Sequence, residues 1–132
     1  AWMTKILGQN QQLVQEGIIR DPVMVQLCMG VPWGAPDDMN TFMAMVNNVP
    51  SDWVHSAFSI GKHQMAFVAA AVLSGGNVRV GLEDNLWLER GRLASNAELV
   101  EKAAGIVTAM GVEIMTPAEV RAELGLVKRD PV

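Results

Sequence analysis

The sequence predicts an α/β fold in which parallel strands are joined by helical crossovers, and three observations predict it. Val23-Met-Val-Gln-Leu-Cys-Met29 is a nearly continuous apolar run whose one strongly polar member is Gln26. Such a run reads as a strand covered on both faces, as strands of parallel sheets are. Strand-like and helix-like stretches then alternate three times, at about 30 residues per unit. Finally, two capping boxes near the end, Ser95-Asn-Ala-Glu98 and Thr116-Pro-Ala-Glu119, mark helix starts that close the series. Eight strand–helix units make a (β/α)8, or TIM, barrel of roughly 250 residues. The chain is therefore expected to supply a little under half of one, as a single partial barrel domain over residues 1–132.

The elements follow in order. Met3, Ile6, Leu7, Leu13 and Val14 fall at helical spacing over residues 2–16, and Gly17 stops the helix. Asp21-Pro22 breaks the chain before the first strand, Val23–Met29. A Gly/Pro-rich loop, Gly30-Val-Pro-Trp-Gly-Ala-Pro36, leads to a helix capped by Asp37 or Asp38, with Met39, Phe42, Met43 and Val46 as its apolar face. Pro50-Ser51 ends it, Trp53–Ser59 is the second strand, and an alanine-rich helix over about 64–74 stops at Gly75-Gly76. The third strand starts at Asn77 and runs toward Asn85. Leu99, Ala103, Ile106, Val107 and Met110 make the stripe of the next helix, ended by Gly111, and a last short helix stops at Gly125.

Composition bounds the partners. Half of the 132 residues are apolar and 18% are charged, enough for a substantial core. A net charge of −4 with scattered basic residues argues against nucleic acid. The longest uncharged run, from Gln64 up to Arg79, is too short and too polar to span a bilayer, so no membrane is expected. One cysteine, Cys28, excludes an internal disulfide and fits a reducing, cytoplasmic setting. The opening Ala1-Trp2-Met3, entering at mid-helix, is expected of a piece of a longer chain. Open sheet edges in such a piece would need covering, and a homo-oligomer is one way to do so.

The chemistry is expected at Asn77-Val-Arg-Val-Gly-Leu-Glu-Asp-Asn85. Alternation puts Val78, Val80 and Leu82 on one face and Arg79, Gly81 and Glu83 on the other. A buried charge needs a partner, a metal or a ligand. Glu83 has the placement of a hard-cation ligand at a strand's carboxyl end, and equally that of an ion-pair partner for Arg79. Asp84 reads either as a general base or as a turn residue bonding local amides, and Asn85 as a turn residue. His55, alternating with Trp53 and Ala57, is placed in the barrel interior. His63 and His55 match no zinc spacing, and each reads as structural or solvent-facing. Gly61-Lys62-His63-Gln64 has an alternative reading as a helix start that receives an anion. Cys28 and the nine methionines read as core packing, and Ser56 and Ser59 lack a nucleophile elbow.

At Val78–Asn85 the sequence resembles the β-keto acid cleavage enzymes, the family typified by 3-keto-5-aminohexanoate cleavage enzyme. Gly30–Pro36, Ile60-Gly-Lys-His-Gln64, Gly75-Gly76, Ser95–Val100, Thr116–Arg121 and Leu124–Leu126 extend the likeness, in order, along that family's carboxyl-terminal half. The resemblance implies the later strands of a zinc-dependent TIM barrel that exchanges acyl groups between a β-keto acid and acetyl-CoA. Acetoacetate and a new acyl-CoA would be the products. It implies that Glu83 is a zinc ligand, that Arg79 activates the substrate and that Asp84 is the base. The family's other zinc ligands, a His-x-His pair early in the barrel, have no counterpart here. The chain by itself is thus expected to be inactive. The competing expectations are a non-catalytic half-barrel assembly module and another metal-dependent, aldolase-like lyase.

Overall fold

A computed structural model of the chain describes residues 2–20 and 22–126. Helix α1 (Trp2–Gln15) precedes strand β1 (Met24–Met29), helix α2 (Met39–Val46) and strand β2 (Val54–Ser59). A 3-10 turn (Gly61–His63) runs into helix α3 (Gln64–Leu73), followed by strand β3 (Asn77–Val78). A hairpin of β4 (Trp87–Glu89) and β5 (Arg92–Leu93) comes before α4 (Asn96–Ala109) and α5 (Pro117–Glu123). Asp21, and the side chains of Met3, Ile6 and Leu7, lie outside the described residues.

Strands β1, β2 and β3 are parallel and adjacent in that order. Each is joined to the next by a helix, the crossover that the alternating pattern predicts. Three strands make an open sheet, with β1 and β3 at its edges. Leu27, Met29 and Ala57 turn to one face and form a buried cluster with Phe42 of α2 and Phe67, Ala70 and Ala71 of α3. Phe42 and Phe67 meet edge to face with ring centroids 5.4 Å apart, the arrangement that their quadrupoles favour. A second cluster docks α4 on α3 through Val68, Ala103 and Val107, and Val78 touches both clusters. Helix α3 is thus covered by the sheet on one side and by α4 on the other. That is why its sequence is apolar nearly all round.

Local signals act as expected at the helix starts. Asp38 caps α2, its Oδ1 accepting from the Thr41 amide at 2.9 Å. Both predicted capping boxes form, at Ser95/Glu98 and Thr116/Glu119. Among the described residues, no helix is long and apolar enough to cross a membrane.

Several expectations need correction. Met39 and Met43 are 49% and 38% exposed, and α2 is anchored by the buried Phe42 with the partly buried Met45 and Val46 packed against the same cluster. The third strand is two residues long and ends at Val78. The hairpin after Asn85 has no expected counterpart: its strands are short and charged, so alternation is too brief to register. His55 does not face a barrel interior. In register with Val25, it lies on the helix side of β2, where its Nε2 is 3.1 Å from Ser74 Oγ. Burial there lowers the pKa of the imidazole.

The His55 ring also explains Gly76. A Cβ on Gly76 would stand 2.5 Å from His55 Nε2, so a side chain there must displace the ring. Gly76→Ala is expected to destabilise the chain by about 1–3 kcal/mol, the usual range for overpacking. A urea unfolding series measures it. Adding His55→Ala should return part of the loss, because the obstruction is then gone.

Candidate active site

The sheet face turned away from the helices is polar. Gln26 and Cys28 of β1 and Ser56 and Phe58 of β2 pair across it. Arg79, just past β3, reaches this face, while Val80 packs with the α3–α4 cluster on the other. The predicted alternation therefore holds through Val80. The Arg79 guanidinium lies 4.5 Å from the Phe58 ring centroid, a cation–π distance. Its Nη1 donates to Gln26 Oε1 at 2.9 Å, and Gln26 Nε2 donates to Ser56 Oγ at 3.2 Å. Its Nε donates to Asp84 Oδ2 at 3.0 Å, and Nη2 donates to Asp84 Oδ1 and Glu83 Oε2. Groups from β1, β2 and the segment after β3 thus converge on one cation.

The two carboxylates are not equivalent. Glu83 does not point inward from a strand, because alternation ends at Gly81 and residues 82–84 form a turn. Its side chain is 81% exposed and pairs with Arg79 across one turn of chain. The Asp84 side chain is 7% exposed and carries the buried ion pair. Asp84 also departs from the turn-residue reading: its carboxylate bonds Arg79, not local amides. Asn85 is the turn residue, bonding both the amide and the carbonyl of Trp87 to start the hairpin.

Neighbours hold this turn in place. The Gly81 carbonyl accepts from the amides of Asp84 and Asn85 and from Gln64 Nε2 at 3.1 Å. Gly61 N–H donates to the Asp84 carbonyl at 2.7 Å, and Leu82 N–H to Asn96 Oδ1 at 2.9 Å. Nothing in the local sequence marks Asn96, and Gln64 is marked only as part of the Gly61–Gln64 helix start, because amides are ordinary in the first turn of a helix. Gln64 is fully buried at the start of α3, with its Oε1 unpartnered among the described residues. Gln26 was the visible signal, as the polar break in an apolar strand.

A second cluster lies at the carboxyl ends of β1 and β2. Asp37 Oδ2 accepts from Ser59 Oγ at 3.1 Å and pairs with His63 Nδ1. The bond from His63 is the main reason the Asp37 carboxyl stays below its ordinary pKa. Gly30 lies against this cluster at φ +75°, where an added Cβ would be 2.9 Å from Ser59 Oγ. The cluster therefore ties the Gly30–Pro36 loop to β2, with the partly exposed His63 side chain against Asp37. Ser59 is bonded to the carboxylate, not to the imidazole, so the cluster is not a serine–base pair.

Cys28 departs from the core-packing expectation. It is half-buried on the polar face, and its thiol pKa is raised by burial first and by the Asp84 charge second. No group of three His, Cys, Asp or Glu side chains that could hold a metal ion occurs among the described residues. Glu83 offers a single carboxylate, whose Oε2 is engaged by Arg79. One donor does not make a metal site.

A family model for beta-keto acid cleavage enzymes matches residues 2–126. The chain belongs to that family. Similar proteins include 3-dehydrocarnitine:acetyl-CoA trimethylamine transferase of Rhizobium meliloti, 67% identical over 129 residues, which are 98% of this chain and 43% of that protein. The 3-keto-5-aminohexanoate cleavage enzyme of Acetoanaerobium sticklandii is 35% identical over 89% of this chain and 43% of its own length. A 3-oxoadipate:acetyl-CoA acetyltransferase of Cupriavidus necator is 30% identical over 96% of this chain. The chain spans less than half the length of these relatives and corresponds to their carboxyl-terminal half.

Proposed function

We propose that this chain forms the carboxyl-terminal part of a TIM-barrel enzyme that transfers acyl groups between a β-keto acid and acetyl-CoA. Its β-keto acid is 3-dehydrocarnitine or a close analogue, a choice supported by the 67% identity to the Rhizobium meliloti enzyme. The observation that carries the reading is the buried Arg79–Asp84 pair on the polar face of the sheet, beyond the end of β3. Parallel α/β sheets hold their chemistry at the carboxyl ends of strands.

The residues divide the work. Arg79 has five N–H groups, and the four bonds to Gln26, Glu83 and Asp84 leave one Nη1–H for a substrate carboxylate. Asp84, held by the guanidinium, takes a proton from the carbon between the keto and carboxylate groups. That carbanion attacks the acetyl thioester and expels the coenzyme A thiolate. The thiolate then attacks the original keto carbonyl, and the bond between that carbonyl and the former carbanion carbon breaks. Protonation of the released carbanion by Asp84 gives acetoacetate, leaving the remaining acyl group on coenzyme A. Glu83 is assigned as one ligand of a zinc ion whose other ligands lie outside this chain, and a bound zinc would polarise the keto carbonyl. A cytoplasmic homo-oligomer belongs to the same proposal, supported by Met24 and Leu73, 55% and 78% exposed, while the open sheet edges are left to the barrel's other strands.

The test joins this chain to the amino-terminal part of the Rhizobium meliloti relative. The fusion should consume 3-dehydrocarnitine only when acetyl-CoA is present, and faster than 3-keto-5-aminohexanoate or 3-oxoadipate. The 132-residue chain alone should not turn over. Cleavage independent of acetyl-CoA would overturn the reading in favour of an aldolase-like lyase.

A further inference from the structure

Beside the Asp84 turn, a cavity of about 570 Å³ opens between the start of α3, the β4–β5 hairpin and α4. That volume is in the range of small-molecule sites. Its wall includes Asn85, the residue directly after Asp84, together with Lys62, Arg90 and Lys102. Three of the chain's ten basic residues thus line one cavity, in a protein of net charge −4. The single carboxylate in the wall, Glu89, has Arg92 Nη1 at 3.7 Å. Among the described residues, none of the three cations forms an ion pair. Lys102 Nζ donates once, to the Leu88 carbonyl at 2.7 Å, which keeps the ammonium at the wall with two N–H groups to spare.

The rest of the wall is apolar and aromatic. Met65 and Leu88 line it, and the Trp87 indole, 49% exposed, offers a face on which a planar ring would stack. The cavity is also coupled to the turn that bears the proposed base, because Gly61 holds the Asp84 carbonyl and Lys62 is the next residue. Unpaired cations around an aromatic surface suit a ligand with several phosphates and a heteroaromatic ring. Arginine and lysine bind phosphate by charge-assisted hydrogen bonds.

We propose that this cavity receives the phosphorylated adenine-nucleotide end of coenzyme A, with the thioester arm passing Asn85 to reach Asp84. The assignment rests on the acetyl-CoA-dependent reading above and adds a location to it. Lys62, Arg90 and Lys102 are binding residues for the phosphates, and Trp87 is a stacking surface for the base. This explains why the Gly61-Lys62-His63-Gln64 segment, which also reads as an anion site in the sequence, lies next to the turn carrying Asp84.

The experiment measures calorimetric binding of coenzyme A and of adenosine 3′,5′-bisphosphate to the fusion described above. Arg90→Glu and Lys62→Glu, both exposed, are compared with Arg121→Ala on α5, which does not line the cavity. Each charge reversal should weaken both ligands by roughly tenfold to 100-fold, the loss of a charge-assisted bond. It should also flatten their salt dependence. Arg121→Ala should change neither. In turnover, KM for acetyl-CoA should rise while KM for the β-keto acid stays constant. Coenzyme A binding unchanged in both charge-reversed variants overturns the site and leaves the cleavage reading standing. Nucleotide binding lost as expected, in a fusion that cleaves no β-keto acid, upholds the site and overturns the cleavage reading. A wild-type fusion that binds neither ligand overturns the site.

Discussion

Asp84→Asn in the fused barrel is expected to cut turnover of the β-keto acid by roughly 100- to 10,000-fold, the range of a lost general base. Asparagine keeps the volume, and its Oδ1 still accepts from Arg79, so the turn and its bonds to Gly61, Gln64 and Asn96 should persist. What disappears is a carboxylate able to take the proton. The loss should therefore fall on kcat, with the melting temperature little changed and zinc content unaltered. Steady-state kinetics and calorimetry on the same sample check both halves. Normal turnover in Asp84→Asn would reduce Asp84 to a partner that merely holds Arg79.

Arg79→Leu is expected to cost about 3–5 kcal/mol of stability, the penalty for leaving a buried carboxylate without its cation. Asp84, 7% exposed, is the group left behind. Gln26 Oε1 loses its donor in the same step, and Phe58 loses the cation over its ring. Glu83→Gln removes a partner of the same guanidinium yet should change stability by no more than about 0.5 kcal/mol. Its side chain is 81% exposed, and exposed pairs contribute little. Arg79→Leu combined with Asp84→Asn should recover part of the loss, since no buried charge then remains. Urea midpoints of these three variants and of Asp84→Asn alone provide the comparison. Equal losses in Arg79→Leu and Glu83→Gln would show that the assignment of the buried charge is wrong. In the fused barrel, Glu83→Gln should instead show its effect in zinc content, as expected of a ligand.

Much of the architecture could be read from local pattern. The apolar run at Val23–Met29, the boxes at Ser95 and Thr116 and the cap at Asp38 each depend on residues within a few positions of one another. Short-range rules of this kind survive folding because the groups involved meet whatever the rest of the chain does. The hairpin at Trp87–Leu93 leaves no such local pattern, because it is held by pairing across a turn and by the Asn85 side chain.

The residues of the candidate site were named in the sequence, but their environments were not. Arg79, Glu83 and Asp84 stand within six positions, and alternation placed Arg79 on the correct face. Period two failed at Gly81, where three donors gather on one carbonyl and curl the chain out of the strand. That curl leaves Glu83, expected to point inward, exposed and buries Asp84 instead. By itself, then, the sequence determined a parallel, helix-covered sheet and the trio Arg79, Glu83 and Asp84. Tertiary structure alone decided which acid is buried, because burial depends on Gln26, Phe58, Gly61, Gln64 and Asn96, side chains and amides that stand 12 to 58 positions from Asp84 in sequence and meet at one turn.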